Sequence, residues 1–164
     1  MSLRSNAKLR IYNFYLNCGS EDKVYFESLY QEEFTELNSL ELEIFSKIGS
    51  MKDLIHDFLD QKGYAFKIKT HFDNDYKLTA LKNELGVSVQ MGNIGNFAFD
   101  ILKMNDAARN NVISKGIFFL PTKDAIEKIG QTGNNATFDR ITDKYEYFSR
   151  QLNLPVCIYG VDLS

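Results

Sequence analysis

At 164 residues, 44% hydrophobic and 25% charged, with no low-complexity tract, the chain has the make-up of one soluble globular domain rather than a disordered or fibrous protein. A net charge of −3 and a pI near 5.4 exclude a uniformly basic surface, so any nucleic-acid contact must come from a local cluster. No apolar run reaches the ~18 residues of a membrane span and no charged-then-apolar leader opens the chain, so the expected setting is the cytoplasm, with Cys18 and Cys157 as free thiols.

Residues 1–62 form a first region. Leu9, Ile11, Phe14 and Leu16 lie in a stretch rich in aromatic and β-branched residues, which predicts an early strand. Phe34, Leu37, Leu40, Leu42, Ile44, Phe45 and Ile48 recur at three- and four-residue spacings, predicting one or two short helices before Gly49. Ser50 is placed as an N-cap, with Leu54, Ile55, Phe58 and Leu59 as the apolar face of the next helix and Gly63 as its end.

Residues 63–164 form the second region, read as an α/β core. Ala65 to Lys69 alternates, Tyr76 to Lys82 tolerates strand, and Leu85 to Gln90 alternates again, so a three-stranded antiparallel meander is expected, with turns at Asp73-Asn74-Asp75 and Lys82-Asn83-Glu84. A long helix follows through Phe97, Ile101, Leu102, Asn105, Ala108 and Val112. Gly116 to Pro121 reads as a strand buried on both faces, Lys123 to Ile129 as a short helix, and Gly130 to Asn135 as loop. One closing helix over Phe138, Ile141, Tyr145, Phe148 and Leu152 leads to a last buried strand, Pro155 to Val161. This order implies a single α/β domain: a mixed sheet of antiparallel meander plus parallel strands, flanked by helices on both faces.

Most single motifs dissolve on inspection. The window Asp73 to Glu84 has acids at positions one, three and twelve, as a calcium loop would, but Leu78 stands where Gly is needed and Lys77 where an oxygen ligand belongs. Gly92-Asn93-Ile94-Gly95 fits a plain strand-to-helix turn better than a phosphate loop. His56 and His71 have no His or Cys at ligand spacing, and no serine sits in a nucleophile-elbow motif.

One ordered set of segments is more specific. Lys82-Asn83-Glu84-Leu85-Gly86-Val87-Ser88-Val89-Gln90-Met91-Gly92-Asn93 leads into the helix with Phe99-Asp100-Ile101-Leu102-Lys103-Met104. Val112-Ile113-Ser114-Lys115-Gly116-Ile117-Phe118-Phe119-Leu120-Pro121-Thr122-Lys123 and Leu154-Pro155-Val156-Cys157-Ile158-Tyr159-Gly160-Val161 follow. From about Tyr64 onward, this resembles type II restriction endonucleases of the BglII/BamHI group, a branch of the PD-(D/E)XK nuclease fold. The resemblance implies an Asp and a Glu that hold Mg²⁺ and, two residues past the Glu, a Gln or Glu that helps place the attacking water. Gln90 falls on that last position; Ser88 falls on the Glu and Thr79, nine residues earlier, on the Asp.

Two hydroxyls in place of two carboxylates remove most of the charge that attracts the ion. The expectation is therefore a degenerate, catalytically silent homologue with no metal and no cofactor, acting as a homodimer on duplex DNA or on a protein partner. Lys67, Lys69, Lys103, Arg109 and Lys115 are the candidate DNA contacts. An active Mg²⁺-dependent endonuclease would need relocated ligands, for which Asp73, Asp75 and Glu84 are nearest in sequence, although Glu84 lies about 13 Å along the strand from Ser88. An interaction module that does not bind DNA is the third possibility.

Overall fold

The structure, a computed structural model, describes residues 6–44, 46–71, 75–131 and 133–164. Strand β1 (Asn6–Leu16) is followed by helix α1 (Ser20–Leu29), a π turn (Tyr30–Phe34), a 3-10 turn (Thr35–Ser39) and the short strand β2 (Glu41–Glu43). Then come α2 (Ile48–Gln61), β3 (Ala65–Lys69), β4 (Lys77–Lys82), β5 (Leu85–Val89), α3 (Ile94–Arg109) and β6 (Lys115–Pro121). Helices α4 (Lys123–Ile129), α5 (Phe138–Asp143) and α6 (Tyr145–Gln151) precede the last strand, β7 (Val156–Leu163).

All seven strands form one mixed sheet in the order β2-β1-β7-β6-β5-β4-β3. The expected meander is present: β3, β4 and β5 pair antiparallel, and β5, β6 and β7 are parallel. The β4–β5 connection is a two-residue turn in which Asn83 and Glu84 both take positive φ, 50° and 63°. That geometry matches the twist of the strands it joins. The central strands β5, β6 and β7 are buried almost throughout and largely apolar because helices cover both faces. Along β6, Ile117 and Phe119 enter the core under α2 and α4 with Phe34, Phe58 and Tyr159, while Phe118 and Leu120 enter the opposite core with Phe97, Ile141 and Phe148.

Three expectations are corrected. The segment Phe34 to Ile48 is not one or two regular helices. Asn38 accepts from the Ile11 amide at 3.0 Å and donates to the Tyr30 hydroxyl at 2.8 Å, and Glu41–Glu43 then pairs with the edge of β1, so tertiary partners override the helical spacing. Helix α2 starts at Ile48 with Lys47 as its N-cap, and Ser50 lies in the first turn; burying Met51 beside the partly buried Ile48 extends the helix upstream of the polar residue. The closing helix is two helices. The Lys144 amide donates to the Ile141 carbonyl in a tight closure, and the Lys144 carbonyl starts α6 by accepting from Tyr147 and Phe148. The expected turn at Asp73-Asn74 lies outside the described residues.

Candidate functional site

The β4–β5 ladder pairs Lys82 with Leu85, Leu81 with Gly86 and Ala80 with Val87, and goes no further. Beyond Ala80 the Thr79 side chain replaces the backbone partner: its Oγ1 accepts from the Val89 amide at 3.2 Å. A cleft opens there between β4, the end of β5 and one flank of α3. It holds a cavity of about 30 Å³ lined by Lys77, Leu78, Thr79, Ser88, Asp100 and Lys103.

A single carboxylate organises this cleft. Asp100 Oδ2 accepts from Ser88 Oγ at 2.9 Å and from Gln90 Nε2 at 2.6 Å, and Asp100 Oδ1 lies 3.6 Å from Lys103 Nζ. Gln90 is fixed from both ends: its amide nitrogen donates to the Phe119 carbonyl at 3.0 Å and its Oε1 accepts from the Gly92 amide at 2.8 Å. A Cβ at position 92 would stand 2.8 Å from that oxygen, so the close approach requires glycine. The Lys103 ammonium also lies 5.1 Å from the centre of the Phe99 ring.

Thr79, Ser88 and Gln90, far enough apart in sequence to sit on two strands, therefore meet at one point. Asp100 and Lys77 complete the cleft and were not among the residues singled out from the sequence. A signal for Asp100 existed: it precedes the buried Ile101 and flanks the stripe Phe97, Ile101, Met104, so helical geometry puts it on the border between the sheet and solvent. Of the fallback carboxylates, Asp75 and Glu84 do not line the cleft. Asp75 is fully exposed, 3.9 Å from Lys69, and Glu84 sits in the hairpin turn at the opposite end of β5, where its carbonyl accepts from the Ser114 amide. Asp73 lies outside the described residues.

Of the cations, Lys67 and Lys69 are exposed on the edge strand β3, and Lys69 pairs across the ladder with Lys77. Arg109 is exposed at the end of α3, in a groove with Tyr76, Phe99, Leu102 and Lys103. Lys115 stands apart, at the start of β6 beside Leu85, with its ammonium 4.8 Å from the centre of the Tyr25 ring. His56, on α2, packs at a tilt against the Phe66 ring with centroids 5.5 Å apart; burial lowers its pKa, and it does not line the cleft.

The family model for restriction endonucleases BglII/BglIII matches residues 26–161. The chain belongs to this family. Two solved structures of BglII share its fold. The chain aligns with the BglII complex with a DNA 16-mer over 93% of its own length and 77% of that chain, with a TM-score of 0.71 at 14% identity. It aligns with free BglII over 92% of its own length and 78% of that chain, with a TM-score of 0.61 at 16% identity. No curated protein matches the chain in sequence.

The resemblance read from the sequence would set a divalent metal at Thr79 and Ser88, and the residues present do not fit one. Mg²⁺ takes an octahedron of hard oxygens anchored by carboxylates. The cleft offers one carboxylate, already bonded to Ser88 and Gln90 and close to an ammonium, and two neutral hydroxyls. Among the described residues no cluster of three or more His, Cys, Asp or Glu is placed to hold a metal. Nor is any helix among them long and apolar enough to cross a membrane.

Proposed function

We propose that this member of the BglII/BglIII family binds duplex DNA without cutting it, as a homodimer in a reducing cytoplasm. The observation that carries the proposal is the composition of the cleft: where hydrolysis needs two metal-binding carboxylates, Thr79 and Ser88 provide hydroxyls, and Lys77 and Lys103 add positive charge. Cleavage of a phosphodiester requires charge neutralisation on the phosphate oxygens and a deprotonated water, and among the described residues no pair of carboxylates lines the cleft to hold the cation that would supply both. Binding requires only the cations that line this face. The exposed apolar residues Tyr76, Phe99 and Leu102 on and beside α3 support self-association, and the free thiols Cys18 and Cys157 suit a reducing compartment.

The test incubates the purified protein with mixed-sequence plasmid in Mg²⁺, in Mn²⁺ and in EDTA, and follows both strand integrity and electrophoretic mobility. Salt-sensitive retardation of intact plasmid is the expected result. Absence of retardation at low salt would overturn DNA binding and favour a protein-interaction module.

One observation favours a second reading, an active Mg²⁺-dependent endonuclease with a relocated ligand: Asp100 delivers a carboxylate from α3 to the place vacated on β5. Metal-dependent cutting abolished by Asp100→Asn would establish it.

A further inference from the structure

We infer that the cleft between β4 and α3 seats one oxygen of a DNA backbone phosphate without any metal, Lys77 and Lys103 supplying the positive charge that a divalent cation supplies in a cutting enzyme. The inference rests on the DNA-binding proposal above and adds to it the residues and the metal independence.

Four observations carry it. The first is charge. Within the cleft Asp100 faces two lysines, so the site is net positive, opposite in sign to a pair of metal-binding carboxylates. The second is an unrelieved repulsion. Lys69 and Lys77 are directly opposed across the β3–β4 ladder, an arrangement that costs stability unless an anion lies between or beside the two ammonium groups. Asp75 approaches only Lys69, at 3.9 Å, and Lys77 makes no ion pair among the described residues.

The third is donor supply. Thr79 Oγ1 uses a lone pair on the Val89 amide, so its hydroxyl proton remains free to donate, whereas the Ser88 hydroxyl is spent on Asp100. The fourth is size. A cavity of about 30 Å³ exceeds the roughly 10–15 Å³ that one water-sized oxygen needs, and is too small for a whole phosphate group with its hydration shell. It suits a single non-bridging oxygen projecting inward from a duplex lying on the exposed β3 and β4 edge. Asp100 here is a positioning residue: by holding Lys103 on one side and Ser88 and Gln90 on the other, it keeps the ammonium at the cavity wall.

The prediction is independence of divalent ions at fixed ionic strength. A duplex whose phosphates meet carboxylates needs a cation between them, whereas one whose phosphates meet lysines loses affinity to added cations through screening. Fluorescence anisotropy with a labelled mixed-sequence duplex, in EDTA and in Ca²⁺ at matched ionic strength, reads this directly. Wild type should bind equally in both. Lys77→Ala and Lys103→Ala should each weaken binding about tenfold and lower the slope of log K against log salt by about 1. Lys52→Ala, exposed on α2 over the opposite face of the sheet, should change neither. Thr79→Asp should weaken binding in EDTA and recover it in Ca²⁺.

The outcomes separate the two proposals. If wild type binds no DNA at all, the functional proposal falls and this one with it. If wild type binds but only with Ca²⁺, or if Lys77→Ala and Lys103→Ala behave like Lys52→Ala, DNA binding stands and the metal-free seat is refuted.

Discussion

Ser88 is held by a specific partner. It is 4% exposed and donates to Asp100 at 2.9 Å, so the position accepts a small donor beside an existing carboxylate. A Ser88→Glu substitution therefore sets two carboxylates against each other. The new glutamate's pKa rises, since a like charge and burial both disfavour its ionised form. A raised folded-state pKa contributes stability only below the unfolded value, near 4.3, and costs stability as pH climbs past it. Ser88→Glu is expected to lose about 3 kcal/mol at neutral pH and to recover it toward pH 4, on adding Mn²⁺, or with Asp100→Asn. Thermal melts across pH check this, and a neutral-pH melt equal to wild type would show that Asp100 does not occupy the vacated place. Thr79, Ser88 and Gln90 were reached in sequence only through the family resemblance, carried over position by position. Asp100 and Lys77 were not, because their role depends on a helix crossing a sheet at one height and on β4 parting from β5 after Ala80.

At the scale of elements, β7 shows how the sheet and its cover fit. Gly160 pairs with Tyr12 on β1 and Leu120 on β6, and the Phe138 ring at the start of α5 lies over it, stacked on Tyr12 with centroids 6.3 Å apart. A Cβ at 160 would meet three ring atoms of Phe138 at 2.5 to 2.9 Å. Gly160→Ala should cost about 1–3 kcal/mol, the range for forcing a methyl into a packed core. Pairing it with Phe138→Leu should return part of that loss. Urea denaturation midpoints decide the matter, and an unchanged midpoint for Gly160→Ala would mean that α5 moves freely off the sheet. The buried strands β5, β6 and β7, the meander and α3 were readable in advance, since unbroken apolar runs and two-residue alternation are strong local signals. The stretch from Phe34 to Ile48 was not. Its helical spacing loses to a side-chain amide that ties Ile11 to Tyr30 and to the pairing of Glu41–Glu43 with β1, contacts made across 8 to 37 residues of chain.

The whole molecule is bounded at high pH by what its sheet buries. Tyr159 lies in an aromatic group with Phe34, Phe119 and Tyr30, and its hydroxyl finds no hydrogen-bond partner among the described residues; the Cys157 thiol is close enough to couple electrostatically but makes no bond of ordinary geometry. Burial pushes the pKa of both Tyr159 and Cys157 up, far enough that neither ionises while the protein is folded. In the unfolded chain they ionise at about 10 and 8.5. The folded state thus retains protons that the unfolded state gives up, and stability falls as pH rises past those values, by about 3 kcal/mol per pH unit once both are in play. Tyr159→Phe removes one of the two and also the orphaned hydroxyl. It should fold with neutral-pH stability raised by up to about 1 kcal/mol, and its loss of stability above pH 10 should be shallower by about 1.4 kcal/mol per pH unit, the remaining slope coming from Cys157 and from other buried groups such as Tyr64, whose pKa burial also raises. Denaturant titrations between pH 7 and 11, followed by circular dichroism, give both quantities. Equal slopes for the two proteins would show that Tyr159 reaches solvent before the sheet opens, and the steeper wild-type slope would show that the sheet and its aromatic core unfold as one unit.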